Sequence, residues 1–143
     1  MKDLELAEKI IEEKNLTLVV VKEGNILFTS ADRGIEPIYT AVTNFKEGLE
    51  GSGVADRVTG RAAAILCRYG KIAEIHTDLI SDEAIRIFKN SGIKYFYEEY
   101  SPYIKNRDKT DMCPVEKLAY GIDNPQELIQ RISEFMGSMK REV

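Results

Sequence analysis

"VADRVTGRAAAILCRYGKIAEIHTDLISDEAIRIFKNSGIKYFYEEY" spans residues 54–100 and switches between two periodicities. In 54–70, Ala55, Val58, Ala62, Ile65, Leu66 and Tyr69 recur three and four apart, the buried stripe of a helix that Gly70 closes. KIAEIHTDLI (71–80) is rich in β-formers and predicts a strand. Ser81 is a suitable N-cap for a helix that ends at Gly92, and IKYFYEEY (93–100) predicts a second strand. Helix-strand units of this kind build a sheet with helices packed on it, the strands running parallel.

The flanks extend the pattern. Leu4, Ala7, Ile10 and Ile11 predict an amphipathic helix over 2–14. LTLVVVK (16–22) is apolar on both faces, like an interior strand. A tight turn at Glu23-Gly24 or Gly24-Asn25 returns it into NILFTS as a hairpin. Ile35, Ile38, Tyr39, Val42 and Phe45 mark a helix over 35–46 with Pro37 in its first turn, and 48–53 is a loop. After residue 100 come a short helix opened by Pro114 and a last helix over 125–136, with Asn124, Pro125 and Glu127 as its start signal. The expected order is α-β-β-α-α-β-α-β-α-α. That is an α/β chain whose residues 1–143 form one domain, a mixed sheet covered by helices on both faces.

Composition excludes several function classes. Net charge is −4, from 20 basic and 24 acidic residues among 143, so no dedicated nucleic-acid surface is implied. No apolar run approaches a membrane span, and the charged N-terminus is not a signal peptide. The two cysteines, Cys67 and Cys113, read as reduced thiols, which places the chain in the cytoplasm.

Three stretches carry a resemblance: "ADRVTGRAAA" (55–64), "LISDEAIRIF" (79–88) and "NRDKTDMCPVEKLAYGIDNP" (106–125). With the element order, they make the chain resemble the cytidine-deaminase-like fold. More closely, it resembles a small prokaryotic family of unknown function that shares this three-layer α/β/α sandwich. The resemblance implies no assigned activity. Where that family carries Lys, this chain has Arg57 and Arg61. Where the family has Gly-Thr-Gly, this chain has Lys109-Thr110-Asp111.

A zinc deaminase needs a His or Cys beside a Glu at one helix start and a C-x-x-C at the next. The corresponding starts here carry Asp56-Arg57, Thr59-Gly60-Arg61 and Ser81-Asp82-Glu83. His76, Cys67 and Cys113 are the only soft ligands and are dispersed, so neither zinc nor another cofactor is expected.

The same residues suit an anion. Arg57 and Arg61, four apart, would share one helix face, with Gly60 kept small for a close approach. Thr59, Ser81, Asn106 and Arg107 would complete the site, Arg107 as a bidentate donor. Solvated charges and a flat alanine-rich packing face explain the same pattern, and Arg107 also suits a pair with Asp108 or Asp111. Cys113, ahead of Pro114 and three residues before Glu116, stands where a helix dipole favours a thiolate. Cys113, Glu116 and Asp56 are the candidate catalytic groups, with His76 the only imidazole that could serve as a base. A small buried residue with Glu116 as the acid of a capping box is the structural alternative. Tyr95, Phe96, Tyr97, Tyr100 and Tyr103 suit either a stacking platform or a half-buried strand.

Three functions remain open. The first is a binding module for an anionic or nucleotide-like small molecule. The second is a metal-independent enzyme using Cys113. The third is a structural or interaction domain. Further copies of the chain are an additional candidate partner.

Overall fold

The computed structural model describes residues 2–141. Eleven elements follow one another: α1 (Asp3–Glu13), β1 (Leu18–Lys22), β2 (Asn25–Ser30), α2 (Glu36–Leu49), β3 (Gly53–Thr59), α3 (Arg61–Tyr69), β4 (Glu74–Ser81), α4 (Asp82–Lys89), β5 (Lys94–Ser101), α5 (Pro114–Ala119) and α6 (Pro125–Arg141). The sheet is open and mixed, in the order β2-β1-β3-β4-β5. β1 runs antiparallel to both neighbours, while β3, β4 and β5 are parallel.

One expectation fails in the deciding stretch. Residues 54–70 are not one helix but a strand and a helix, split at Gly60. The sheet therefore has five strands rather than four. The cause is burial on both faces of β3. Val54 belongs to the larger core and Ala55 to the smaller one, so the strand shows no alternation of apolar and polar residues. Ala55, Val58 and Ala62 fall at helical spacing by coincidence. Val58, read as buried, is 44% exposed.

The two faces of the sheet are covered unequally. α1 alone lies on one, its Ala7, Ile10 and Ile11 packed on Val19, Val21 and Ala55. The other face carries α2, α3, α4, α5 and α6, with Leu18, Val20, Val54, Ile75 and Ile80 beneath them. Fully burying each aliphatic side chain is worth roughly 1.5–3 kcal/mol, so the five-helix face supplies most of the apolar stabilisation.

The hairpin turn is Glu23-Gly24, both residues at positive φ (51° and 80°), as a two-residue turn matched to strand twist requires. The Asp3 carboxylate accepts from both turn amides at 2.9 Å, tying the head of α1 to the hairpin. Asn124 caps α6 as expected, its Oδ1 accepting from Gln126 and Glu127 N–H. Among the described residues, no helix is long and apolar enough to cross a membrane.

Candidate functional site

Because β3, β4 and β5 are parallel, their carboxyl ends share one sheet edge, where α3 and α4 begin. Helix heads expose N–H groups without intrahelical partners. Gly60 stands at the N-cap of α3 and has no side chain to satisfy them. The carboxylate of Glu116, from α5, does so: Arg61 N donates to Oε1 at 2.6 Å and Ala62 N to Oε2 at 2.9 Å. Gly60 lets it approach, since a Cβ there would overlap Glu116 Oε1 and come within 2.8 Å of Ile104. Burial pushes the Glu116 carboxyl above its ordinary range, while the Ala62 and Arg61 N–H groups and the Arg61 charge pull it back.

Arg61 completes the cluster. It is 4% exposed and donates from Nε to Ala119 O at 2.9 Å and from Nη2 to Ile122 O at 2.8 Å. Nη2 also meets Asp123 at 2.7 Å, and Nη1 lies 3.5 Å from Glu83. Its fork therefore adds donors to the last carbonyl of α5 and to the Ile122 carbonyl just beyond it. Asp123 and Glu83 were not anticipated as partners. Nothing local in the sequence joins either of them to residue 61.

Arg57 is elsewhere. Lying in β3 rather than on a helix, it does not share a face with Arg61 and points to the α1 side. There its Nη1 pairs with Glu12 (2.7 Å) and Asp78 (3.0 Å), and its Nε and Nη2 bind Leu16 O and Ile11 O. Arg57 thus closes the end of α1.

Asp56 faces the opposite way, beneath α3. It accepts from Arg57 N at 2.8 Å and from the Thr59 hydroxyl at 3.0 Å. Burial drives its carboxyl up to about 7, against the pull of these hydrogen bonds. An enclosed carboxyl titrating near neutrality can hold or release a proton in the working range. The buried Cys67 thiol is pushed up by its own burial and by Asp56, so it stays protonated.

The remaining expected residues occupy the loop and the neighbouring helix head. The Ser81 Oγ accepts from Ala84 N at 3.2 Å and caps α4. Asn106 organises its loop, accepting from Thr110 N at 3.1 Å while its own N–H donates to Asp111 O. Arg107 is exposed and has no hydrogen bond or ion pair with any described residue. Asp111 pairs instead with Lys117, which holds its carboxyl below the usual range. Cys113 is half-buried at the N-cap of α5, and its N–H donates to Ile104 O at 2.8 Å. Glu116 is not the capping-box acid of α5, because its carboxylate is committed to α3. His76 sits between Glu98 (2.9 Å) and Glu8 (3.7 Å) on the α1 side.

The structure therefore gathers Gly60, Arg61 and Glu116 at one point, with Asp56 and Thr59 beneath α3. It leaves Arg57 on the far face. No three His, Cys, Asp or Glu side chains among the described residues converge in a way that could hold a metal ion. A cleft of about 470 Å³ opens at the other end of the sheet, along the amino ends of β3 and β4 and the head of α1.

This arrangement can be compared with known proteins. The pattern of a family described as a domain of unknown function, DUF1893 (TM1506), matches residues 6–136. The chain belongs to the DUF1893 family. A crystal structure of the DUF1893 protein TM1506 from Thermotoga maritima is similar, with 35% identity and a TM-score of 0.84 over 92% of this chain and 88% of that one. No curated protein matches the DUF1893 chain. Membership carries the fold with it and assigns no reaction.

Proposed function

We infer that this DUF1893 chain is a small-molecule binding module on a cytidine-deaminase-like scaffold, and that it takes an anionic or nucleotide-like ligand at the head of α3. An open mixed sheet with two helix heads at the carboxyl edge of its parallel strands supports the scaffold. One observation carries the binding reading. The α3 head already holds an anion, the Glu116 carboxylate, on two backbone N–H groups beside a buried guanidinium. A ligand carboxylate or phosphate would use the same donors after displacing Glu116, and Arg107 on the nearby loop, which pairs with no described residue, would add a bidentate contact. The Cys113 enzyme ranks behind this reading, since Glu116 is engaged by α3 and His76 by Glu98 and Glu8.

Thermal melting with inorganic phosphate or a nucleoside monophosphate tests it. Ligand at one hundred times its dissociation constant raises stability by about 2.7 kcal/mol. The wild type should melt higher with ligand, and Glu116→Ala, with the slot vacated, should gain more from phosphate than the wild type does. If neither protein responds to either anion, Glu116 is a structural clamp and the reading fails.

A further inference from the structure

The two edges of the sheet differ. β2 meets β1 through an irregular register, broken between Val20 and Val21, the kind of bulge that spoils an edge for further pairing. β5 keeps one continuous register with β4 from Lys94 to Ser101, and its outer edge pairs with no described strand. Pro102 comes only after the strand has ended. Phe96, Tyr97 and Tyr100 are 49%, 45% and 51% exposed, aromatic side chains spread along an open and regular edge. Unblunted edges of this length are templates for another strand.

The sequence of β5 says which strand. We propose that the chain forms a two-fold homodimer in which β5 pairs antiparallel with β5 of a second copy, centred on Phe96. A two-fold axis normal to the sheet keeps every side chain on its own face, so residues of like parity must lie opposite each other. Centred on Phe96, Lys94 faces Glu98 twice, Tyr95 faces Tyr97 twice, and Phe96 faces its own copy. Every pair within residues 94–98 is then aromatic with aromatic or positive with negative, the combinations that stabilise antiparallel strands, while residues 99–101 run on past the start of the partner strand. Moving the centre to Tyr97 sets Lys94 against Tyr100 and Phe96 against Glu98. Moving it to Glu98 sets that acid against itself.

The faces agree with this pairing. Glu98 reaches His76 on the α1 side, and Phe96 lies beside His76 in the register. On the opposite face Tyr95 stacks between Phe88 and Tyr97, which fixes both tyrosines where their counterparts would meet them. Glu98 is likewise held in place by His76 yet stays 67% exposed, free to take a second partner.

Sedimentation equilibrium of the full chain is the test. The wild type should be a dimer at about 100 µM, within the range where modest interfaces associate. Lys94→Glu puts like charges opposite each other at two places and should weaken the dimer about tenfold or more. Adding Glu98→Lys to that variant exchanges the two charges and should restore the wild-type constant. A monomeric wild type overturns the proposal and leaves the edge to a foreign strand. A dimer indifferent to Lys94→Glu places the interface elsewhere, and failure of the charge swap to restore dimerisation overturns the register.

Discussion

The heads of α3 and α4 stand at the same sheet edge and solve the same problem by different means. α4 is capped from within its own sequence, by the Ser81 hydroxyl three residues before the amide it accepts. α3 is capped from 55 residues away, by a carboxylate that must be carried there by β5, a loop and α5. The local cap costs little to form, because the chain already holds its two partners together. The remote cap needs the whole edge to be assembled, and in return it locks α5 to α3. The same group therefore closes a helix and a tertiary contact, and it holds an acidic oxygen where an open α/β sheet otherwise receives its ligand.

The largest expected effect lies in the cation behind the remote cap. Arg61→Ala removes the side-chain donors to the Ala119 and Ile122 carbonyls and the positive charge beside Glu116, while the two backbone N–H groups keep the Glu116 carboxylate. It should lower unfolding stability in urea by about 1.5–3 kcal/mol, the range for hydrogen bonds made by a charged group. A loss under about 1 kcal/mol would mean that α3 and α5 hold each other through apolar packing alone.

A paired measurement sharpens the contrast between the two caps. Glu116→Gln keeps the shape but presents an amide to one of two buried N–H groups, at a cost of about 1–3 kcal/mol. Ser81→Ala removes a local cap at a cost of about 1 kcal/mol. Hydrogen exchange should separate them further. The serine variant loosens the first turn of α4 only, whereas the glutamine variant loosens α3 and α5 together. Equal and local effects would show that Glu116 is an ordinary cap that happens to come from a distance.

At acid pH the smallest effect concerns the floor under α3. Asp56 has a folded-state value near 7, above its unfolded value of 3.8. Its contribution is therefore fully present below about pH 4 and is lost as pH rises through 7. Asp56→Asn, which can accept from Arg57 N–H and donate to the Thr59 hydroxyl, should lie within about 1 kcal/mol of the wild type at pH 5. Above pH 7 it should become the more stable protein. Parallel stability-pH curves for the two proteins would rule out a buried proton on Asp56.

Element types were legible wherever periodicity was unambiguous: α1, the hairpin, α4 and the start of α6 all fall where the residues place them. β3 was not legible, because burial on both faces erases alternation and leaves an apolar run that a helix would also produce. Gly60 was rightly singled out as a point of close approach. The approaching groups, Glu116 and Ile104, were beyond reach. Glu116 itself was read as a candidate catalytic group, with the capping-box acid of its own helix as the structural alternative, because a capping box is a local pattern and nothing local points to α3.

The sequence by itself determined which residues pay for desolvation and which backbone groups need partners: a glycine at a helix head, an arginine in an alanine-rich stretch, an acid after Pro114. Only the tertiary structure decided who those partners are. The assignment of Glu116 to α3, of Arg61 to the end of α5, and of Arg57 to α1 on the other face depends on strand order and on the side from which each strand is covered. Those are properties of the assembled sheet. Hydrogen bonds and charges act over a few ångströms in space, and residues that far apart in the fold can be any distance apart in the chain.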